Sequence, residues 1–197
     1  MYSMLSKKQL RDQLRQRRNE LSFQEKNKAS EIICKKIMGL SIFKSSERLA
    51  FYLSHDGEVD IRIALSKALE VKKACFLPLL HCTLDHHLDF YSYHLKSELT
   101  KNRFGIGEPD PTRETPIATK ELDLIFLPLV AFDKDGNRLG RGAGYYDRAL
   151  AFLKDSNAQK PKLIGVAYEF QKINSITAEK WDIPLNSVVT EKNIYHF

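Results

Sequence analysis

The chain has 197 residues, of which 43% are apolar and 28% charged, with nine Gly and seven Pro. This balance predicts one domain with a sizeable core and excludes a disordered or fibrous chain. No apolar run approaches the roughly 18 residues a membrane helix needs. The opening MYSMLSKKQLRDQLRQRR has no apolar signal core, so we expect no export. Three cysteines (Cys34, Cys75, Cys82) form no CxxC pair, which argues against a disulfide scaffold and predicts a cytoplasmic protein.

The net charge of +6 is concentrated at one end. Residues 1–36 hold ten Lys/Arg against four acids, and the remainder is balanced at 21 of each. Such a segment faces something anionic, or it is a solvated helix face.

The pattern predicts a helix over 5–20, with Leu10, Leu14 and Leu21 as a thin apolar stripe. Lys7, Arg11, Arg15 and Arg18 share one face of it. Ser22 to Glu25 reads as a capping box that opens a second helix to about Leu40. Its inward positions are Ala29, Ile32, Ile33, Ile37 and Leu40. RLAFYLS (48–54) reads as a strand and HDGEVD (55–60) as a turn. Asp60 then caps a helix to about Val71, with Ile61, Ala64, Leu65 and Leu69 turned inward. ACFLPLL (74–80) is a strand, and the alternation of HLDFYSYH (87–94) predicts an antiparallel one. Residues 97–121 read as a long loop around FGIGEPDP. DLIFLPLVAFD (123–133) is the strongest buried-strand signal, followed by the turn DKDGN. RLGRGAGYYDRALAFL (138–153) is a glycine-rich loop running into a helix. KLIGVAY (162–168) and SVVTE (187–191) are the last expected strands. Strands alternating with helices predict an α/β fold in one domain, 1–197, with a partly parallel sheet.

Several constellations can carry chemistry. Gly140, Gly142 and Gly144 alternate with Arg141 and Ala143 before Tyr145-Tyr146-Asp147. Glycines allow close ligand approach, and loop N–H groups before a helix suit phosphate. Arg138 and Arg141 add charge-assisted donors. The string is neither a Walker A loop nor GxGxxG, so it is an anion cradle or a tight turn. Asp147 is a Mg²⁺ ligand, or it pairs with the helix dipole, Arg148 or Arg141. Glu58, after a strand end, accepts from an NH-rich heterocycle, or it is a solvated turn acid. Asp182 in Trp181-Asp182-Ile-Pro is a second carboxylate for a metal, or part of a turn. His81-Cys82 and His86-His87 match no standard zinc spacing.

The string DLIFLPLVAFDKDGNRLGRGAGYYDR, with FGIGEP before it and WDIPLNSVVTE after it, resembles the 5-formyltetrahydrofolate cyclo-ligase family. Lys7…Arg11 and Glu58-Val-Asp60 fit the same pattern. The resemblance spans nearly the whole chain. It implies a three-layer α/β/α fold with a mostly parallel sheet, like that of sugar-phosphate isomerases and CoA transferases. It implies ATP- and Mg²⁺-dependent closure of 5-formyltetrahydrofolate to 5,10-methenyltetrahydrofolate, with release of ADP and phosphate. Phosphorylation of the formyl oxygen makes a good leaving group, and N10 then attacks the formyl carbon.

By the same resemblance, Lys7, Arg11, Arg138, Leu139, Gly140, Arg141, Gly142, Ala143, Gly144, Tyr145 and Tyr146 contact ATP. Leu53, Glu58, Phe104 and the stretch from Arg141 to Tyr145 border the folate, with Glu58 on the pterin. Arg141 and Tyr146 are the implied catalytic residues, and Asp147 and Asp182 the Mg²⁺-associated acids. Three positions depart from the family pattern. Ala143 stands where relatives often carry Gly or Lys, Leu129 where Gly is common, and Asn186 where many have a second acid. We expect a monomer acting on small molecules, with no nucleic acid and no membrane. Two other readings remain: an RNA-binding relative, and another small-molecule kinase or ligase on the same scaffold. RNA binding predicts aromatic residues among the bases, and residues 1–36 contain only Tyr2 and Phe23.

Overall fold

The structure is a computed structural model, and it describes residues 6–81, 87–155 and 159–197. Helix α1 (Lys7–Glu20) begins at a Ser6 capping box with Gln9, which the sequence reading had not picked out. Helix α2 (Phe23–Gly39) begins at the expected Ser22–Glu25 box. Ala29, Ile33 and Ile37 are buried as expected, whereas Ile32 and Leu40 are only half-buried and Ser30 and Cys34 take inner places. A short α3 (Ser41–Ser45) precedes strand β1 (Arg48–Ala50). The β1 ladder is shorter than 48–54, because the chain leaves its neighbours to form the edge of a cavity. Helix α4 (Arg62–Glu70) follows. Asp60 caps it from one position further out than expected, with Oδ1 accepting from the Arg62 N–H at 2.9 Å.

Strands β2 (Ala74–Leu80) and β3 (Leu88–Tyr93) pair antiparallel, as the alternation of 87–94 predicts. The supposed loop 97–121 is structured. It holds a hairpin of β4 (Leu99–Lys101) and β5 (Gly107–Pro109), then β6 (Pro116–Ile117), which joins the main sheet. The buried run 123–133 divides into β7 (Leu124–Pro128) and β8 (Ala131–Phe132). Strand β8 turns out of the sheet to pair with β9 (Arg138–Leu139). Helix α5 (Tyr145–Ala149) is only five residues long, followed by a 3-10 turn over Ala151–Lys154. Strands β10 (Lys162–Val166), β11 (Ser187–Val189) and an unanticipated antiparallel β12 (Ile194–His196) complete the chain.

The main sheet runs β12-β11-β10-β7-β1-β2-β3-β6. The five strands from β11 to β2 are parallel. Alternate residues serve opposite faces. Leu49, Leu124 and Phe126 pack with α2 and α4, and Ala50, Ile125 and Leu127 pack on the other side with Leu150, Ile183 and Leu185. The two outer layers are unequal, because α5 and irregular chain make up much of the second. From β1 the chain moves to β2 on one side, and from β7 it moves to β10 and β11 on the other. The order therefore reverses between β1 and β7, and the crevice beyond their carboxyl ends is where open α/β sheets bind ligands.

Cys34 and Cys75 are free and buried, and burial pushes their thiols up to about 11 and about 12. Cys82 and His86 of the histidine-rich stretch lie outside the described residues. Among the described residues no helix is long and apolar enough to cross a membrane.

Candidate active site

The crevice opens into a cavity of about 910 Å³, near the upper end for a ligand site and large enough for two substrates. After β1 the chain supplies Leu53 and Glu58. After β7 it supplies the β9 residues Arg138 and Leu139, and then the whole stretch from Gly140 to Asp147. Lys7 and Arg11 reach in from α1, Phe104 from the β4–β5 hairpin and Asp182 from the loop before β11. Every residue that the family resemblance assigns to ATP, folate or Mg²⁺ thus lines one cavity.

Helix α1 lies across the mouth. Leu10 and Leu14 pack on Val130, Ala131 and Leu139, beside Ile173 and Ile176. Its basic face is therefore turned inward and is not a solvated face. Lys7 Nζ pairs with Glu179 at 3.0 Å. Arg11 Nε donates to the Gly140 carbonyl at 2.8 Å, and burial lowers its pKa against the opposing pull of Asp12 and Asp182. Arg15 and Arg18 converge on Asp56.

The glycine-rich loop is held from outside by its carbonyls. Besides the Arg11 contact, Arg148 Nη1 donates to the Ala143 carbonyl at 2.8 Å. The backbone N–H groups of Arg141, Gly142 and Ala143 have no acceptor among the described residues, so they remain as donors for an anion. Gly144 has φ +72°, and a Cβ there would lie 2.6 Å from Arg148 Nη1. A left-handed residue capping α5 needs glycine. Because α5 has only one turn, its dipole adds little, and anion affinity must come from the loop N–H groups and arginines.

Asp147 does pair with an arginine, but the partner is Arg138, not Arg148 or Arg141. Arg138 Nη2 meets Asp147 Oδ1 at 2.5 Å, and Arg138 Nη1 donates to the Ile183 carbonyl at 2.6 Å. Burial lowers the Arg138 pKa, opposed chiefly by the negative charges of Asp147 and Asp182. Asp147 uses Oδ1 for its contacts, and Asp182 uses Oδ2 for the Glu179 N–H at 2.8 Å. Each keeps one oxygen with no protein partner among the described residues. Mg²⁺ binds through one or two carboxylates plus phosphate oxygens, so the pair fits that ion. No cluster of three or more metal-ligating side chains occurs among the described residues.

Glu58 lines the cavity and is half-buried. Burial raises its pKa, and Arg18, the His55 N–H and Arg141 oppose the rise. Tyr146 links the two clusters: burial raises its pKa, Glu58 raises it further and Arg138 opposes. Arg141 is exposed and has no ion pair among the described residues.

Sequence reasoning missed several lining residues. Glu108 is buried, and its Oε1 accepts from the Leu80 N–H at 2.9 Å and Asn102 Nδ2 at 2.8 Å. Asn102 Oδ1 in turn accepts from the Phe104 and Ile106 N–H groups at 2.8 and 3.1 Å, which shapes the turn carrying Phe104. Trp181 is 64% exposed at the cavity edge. The strings FGIGEP and WDIP carried both signals, but nothing local marked Glu108 as buried. Of the departing positions, Leu129 is a buried core residue. Asn186 Oδ1 accepts from the Leu163 N–H at 2.8 Å, which makes it a sheet staple.

The sequence model of the 5-formyltetrahydrofolate cyclo-ligase family matches residues 3–191. A 5-formyltetrahydrofolate cyclo-ligase of Haemophilus influenzae is 34% identical over 185 residues, covering 93% of this chain and 96% of the relative. A solved structure of Aquifex aeolicus 5,10-methenyltetrahydrofolate synthetase is similar with TM-score 0.83 and 34% identity, over 98% of this chain and 93% of that one. Another, a 5,10-methenyltetrahydrofolate synthetase from Mycoplasma pneumoniae, has TM-score 0.75 and 28% identity, over 95% and 99%. With the sequence matched along most of its length and the fold matched throughout, the chain belongs to the 5-formyltetrahydrofolate cyclo-ligase family.

Proposed function

We propose that this protein converts 5-formyltetrahydrofolate to 5,10-methenyltetrahydrofolate with consumption of ATP. The observation that carries this reading is the meeting of two chemistries in one cavity. Unpartnered N–H donors and Arg141 suit a transferring phosphate, and the half-buried Glu58 carboxylate suits the N–H edge of a pterin.

Lys7, Arg11, Arg141 and the loop N–H groups bind the phosphates and offset the charge that develops on the γ-phosphoryl group. Asp147 and Asp182 would hold Mg²⁺, which would neutralise phosphate charge. Arg138, locked by Asp147 and the Ile183 carbonyl, orients Asp147 and reaches the nucleotide through it. Leu53, Phe104 and Glu58 fix the folate. The formyl oxygen attacks the γ-phosphorus and ADP leaves. N10 then attacks the formyl carbon, the C–O bond breaks, phosphate departs with the former formyl oxygen, and the N10 proton is released. Each step is chiefly a matter of holding atoms in line. Arg141 and Tyr146, whose charges and burial couple to Glu58, are the proposed catalytic residues.

All the residues proposed for the site come from one chain, which supports action as a monomer on small molecules. The free, buried thiols of Cys34 and Cys75 support a cytoplasmic location. The test is spectrophotometric. Purified protein is mixed with 5-formyltetrahydrofolate and Mg²⁺, ATP is added, and the near-ultraviolet absorbance of the methenyl product is followed. The expected result is an increase that requires both ATP and Mg²⁺. Folded protein that binds ATP but forms no product points to another substrate on the same loop, and the proposal fails.

A further inference from the structure

Arg18 is an unusual residue for a helix rich in surface charge. It is 1% exposed, and its Nε has no hydrogen-bond partner. Burying a guanidinium is costly, and apolar side chains of similar volume usually fill such space with less penalty. Its Nη2 donates to Asp56 Oδ2 at 3.0 Å, Arg15 Nε meets the same oxygen at 2.7 Å, and Asn19 Nδ2 meets Oδ1 at 3.0 Å. Three donors from the last two turns of α1 thus close on one carboxylate.

That carboxylate belongs to a turn that needs outside support. Asp56 and Gly57 are both left-handed, with φ of 55° and 72°, a conformation costly for the non-glycine residue. The turn lies directly against α1, and a Cβ on Gly57 would sit 2.6 Å from Asn19 Oδ1 and 3.3 Å from Arg18 Cγ. On the other side, Tyr168 Oη donates to the Gly57 carbonyl at 3.2 Å. One residue on is Glu58, whose Oε2 accepts from the His55 N–H at 3.1 Å. Where the Glu58 carboxylate points therefore depends on how α1 grips Asp56.

We propose that Arg18 is a positioning residue for the folate side of the site: through Asp56 it fixes the 55–58 turn so that Glu58 meets the substrate. This rests on the reading of Glu58 as a folate contact. Burial raises the Glu58 pKa, and Arg18 heads the charges that oppose the rise. The same helix carries Arg11 about two turns away, roughly 10 Å along its axis from Arg18, and Lys7 about one turn further. Helix α1 is thus a strut linking the phosphate side to the folate side.

Arg18→Ala leaves a void and risks unfolding, so the informative variants are Arg18→Lys and Asp56→Asn in the full chain. Steady-state kinetics give KM for each substrate. Calorimetry with 5-formyltetrahydrofolate alone gives its Kd, and a thermal melt shows that the variant is folded. The expected result is a rise in KM and Kd for the folate of roughly tenfold, the scale of a displaced positioning group, with KM for ATP changed less than about twofold. The discriminating measurement is Arg18→Lys on a Glu58→Gln background. If Arg18 acts through Glu58, the double variant binds folate no more weakly than Glu58→Gln alone. Losses that multiply, equal rises in both KM values, or a lowered Tm with unchanged folate Kd all overturn the proposal. A wild-type chain that binds no 5-formyltetrahydrofolate overturns the functional reading and this one with it. A wild type that binds, with both single variants unchanged, overturns this one alone.

Discussion

The two walls of the cavity are built on opposite principles. The 55–58 turn is finished by the protein: three donors hold Asp56, two tyrosine hydroxyls hold the Gly57 and Val59 carbonyls, and Glu58 is tied to His55. The 140–144 loop is held by two arginines gripping its carbonyls, and its N–H groups at Arg141, Gly142 and Ala143 are left without protein acceptors. On the proposed function, the difference follows from the ligands. A phosphate brings enough charge to order a loop around itself, whereas an uncharged heterocycle gains little from one hydrogen bond and needs its acceptor already in place.

The comparison can be broken most directly at Arg141. On the loop wall, Arg141→Ala should lower kcat by about a hundredfold or more and raise KM for ATP, while Tm stays put because the side chain is exposed and unpaired. A large loss of Tm in a melt would show that this wall, too, is built in advance. On the other wall, Glu58→Gln should raise KM for 5-formyltetrahydrofolate by roughly tenfold or more and leave KM for ATP unchanged. A defect confined to ATP would reverse the assignment of the walls.

Asp147→Asn should shift the Mg²⁺ requirement up by about tenfold, read from a Mg²⁺ titration of the rate. It should also cost about 1–3 kcal/mol of stability, because the buried Arg138 loses its ion pair. An unchanged titration would return Asp147 to a purely structural role.

Two glycine substitutions sharpen the contrast. Gly57→Ala and Gly144→Ala both put a side chain at positive φ, and each new Cβ meets a side-chain atom at 2.6 Å. Asn19 is pinned by Asp56, whereas the Arg148 guanidinium can swing into solvent. Chemical denaturation should therefore find Gly57→Ala the more destabilising, by about 1–2 kcal/mol, and Gly144→Ala should show itself mainly as a lower rate. Equal losses of stability would contradict the contrast between the walls.

The smallest effect concerns acid. Burial pushes the Asp56 carboxyl up, but Asn19, Arg15 and Arg18 outweigh it and bring the pKa down to about 2. Asp123, at the start of β7, is likewise brought to about 2 by Lys160 and the Arg48 and Glu47 N–H groups, against burial. A carboxylate whose folded pKa lies below its unfolded value stabilises the fold above the unfolded value. That contribution is lost as pH falls toward 2. Each should contribute on the order of 1 kcal/mol after solvent screening. Melts between pH 5 and about pH 2 should show the loss, and Asp56→Asn should flatten it. An acid profile unchanged by that substitution would contradict the pairing.

The helices and buried strands were legible because hydrophobic period and capping are local. The Ser22–Glu25 box and the alternation of 87–94 formed as their patterns required, and the run after Asp123 is buried but divides into two strands. The loop strings marked the walls of the site, because glycine spacing and charge are visible without a fold. The β4–β5 hairpin was not legible: in LTK and GEP the alternation is too short to outweigh Pro, Gly and charge. Strand β12 was missed because three residues carry no usable period.

The residues of the chain thus determined an α/β class, the order of its elements, the family pattern and the groups capable of chemistry. Tertiary structure alone decided which way α1 turns its basic face, which arginine takes Asp147 and which carboxylate Arg18 holds. Propensity and period act over a few residues, whereas the partner of a charge is chosen across 38 residues for Arg18 and Asp56, and 129 for Arg11 and Gly140. Only the closing of the sheet around its switch point brings such groups within reach, and burial then makes the choice energetically significant.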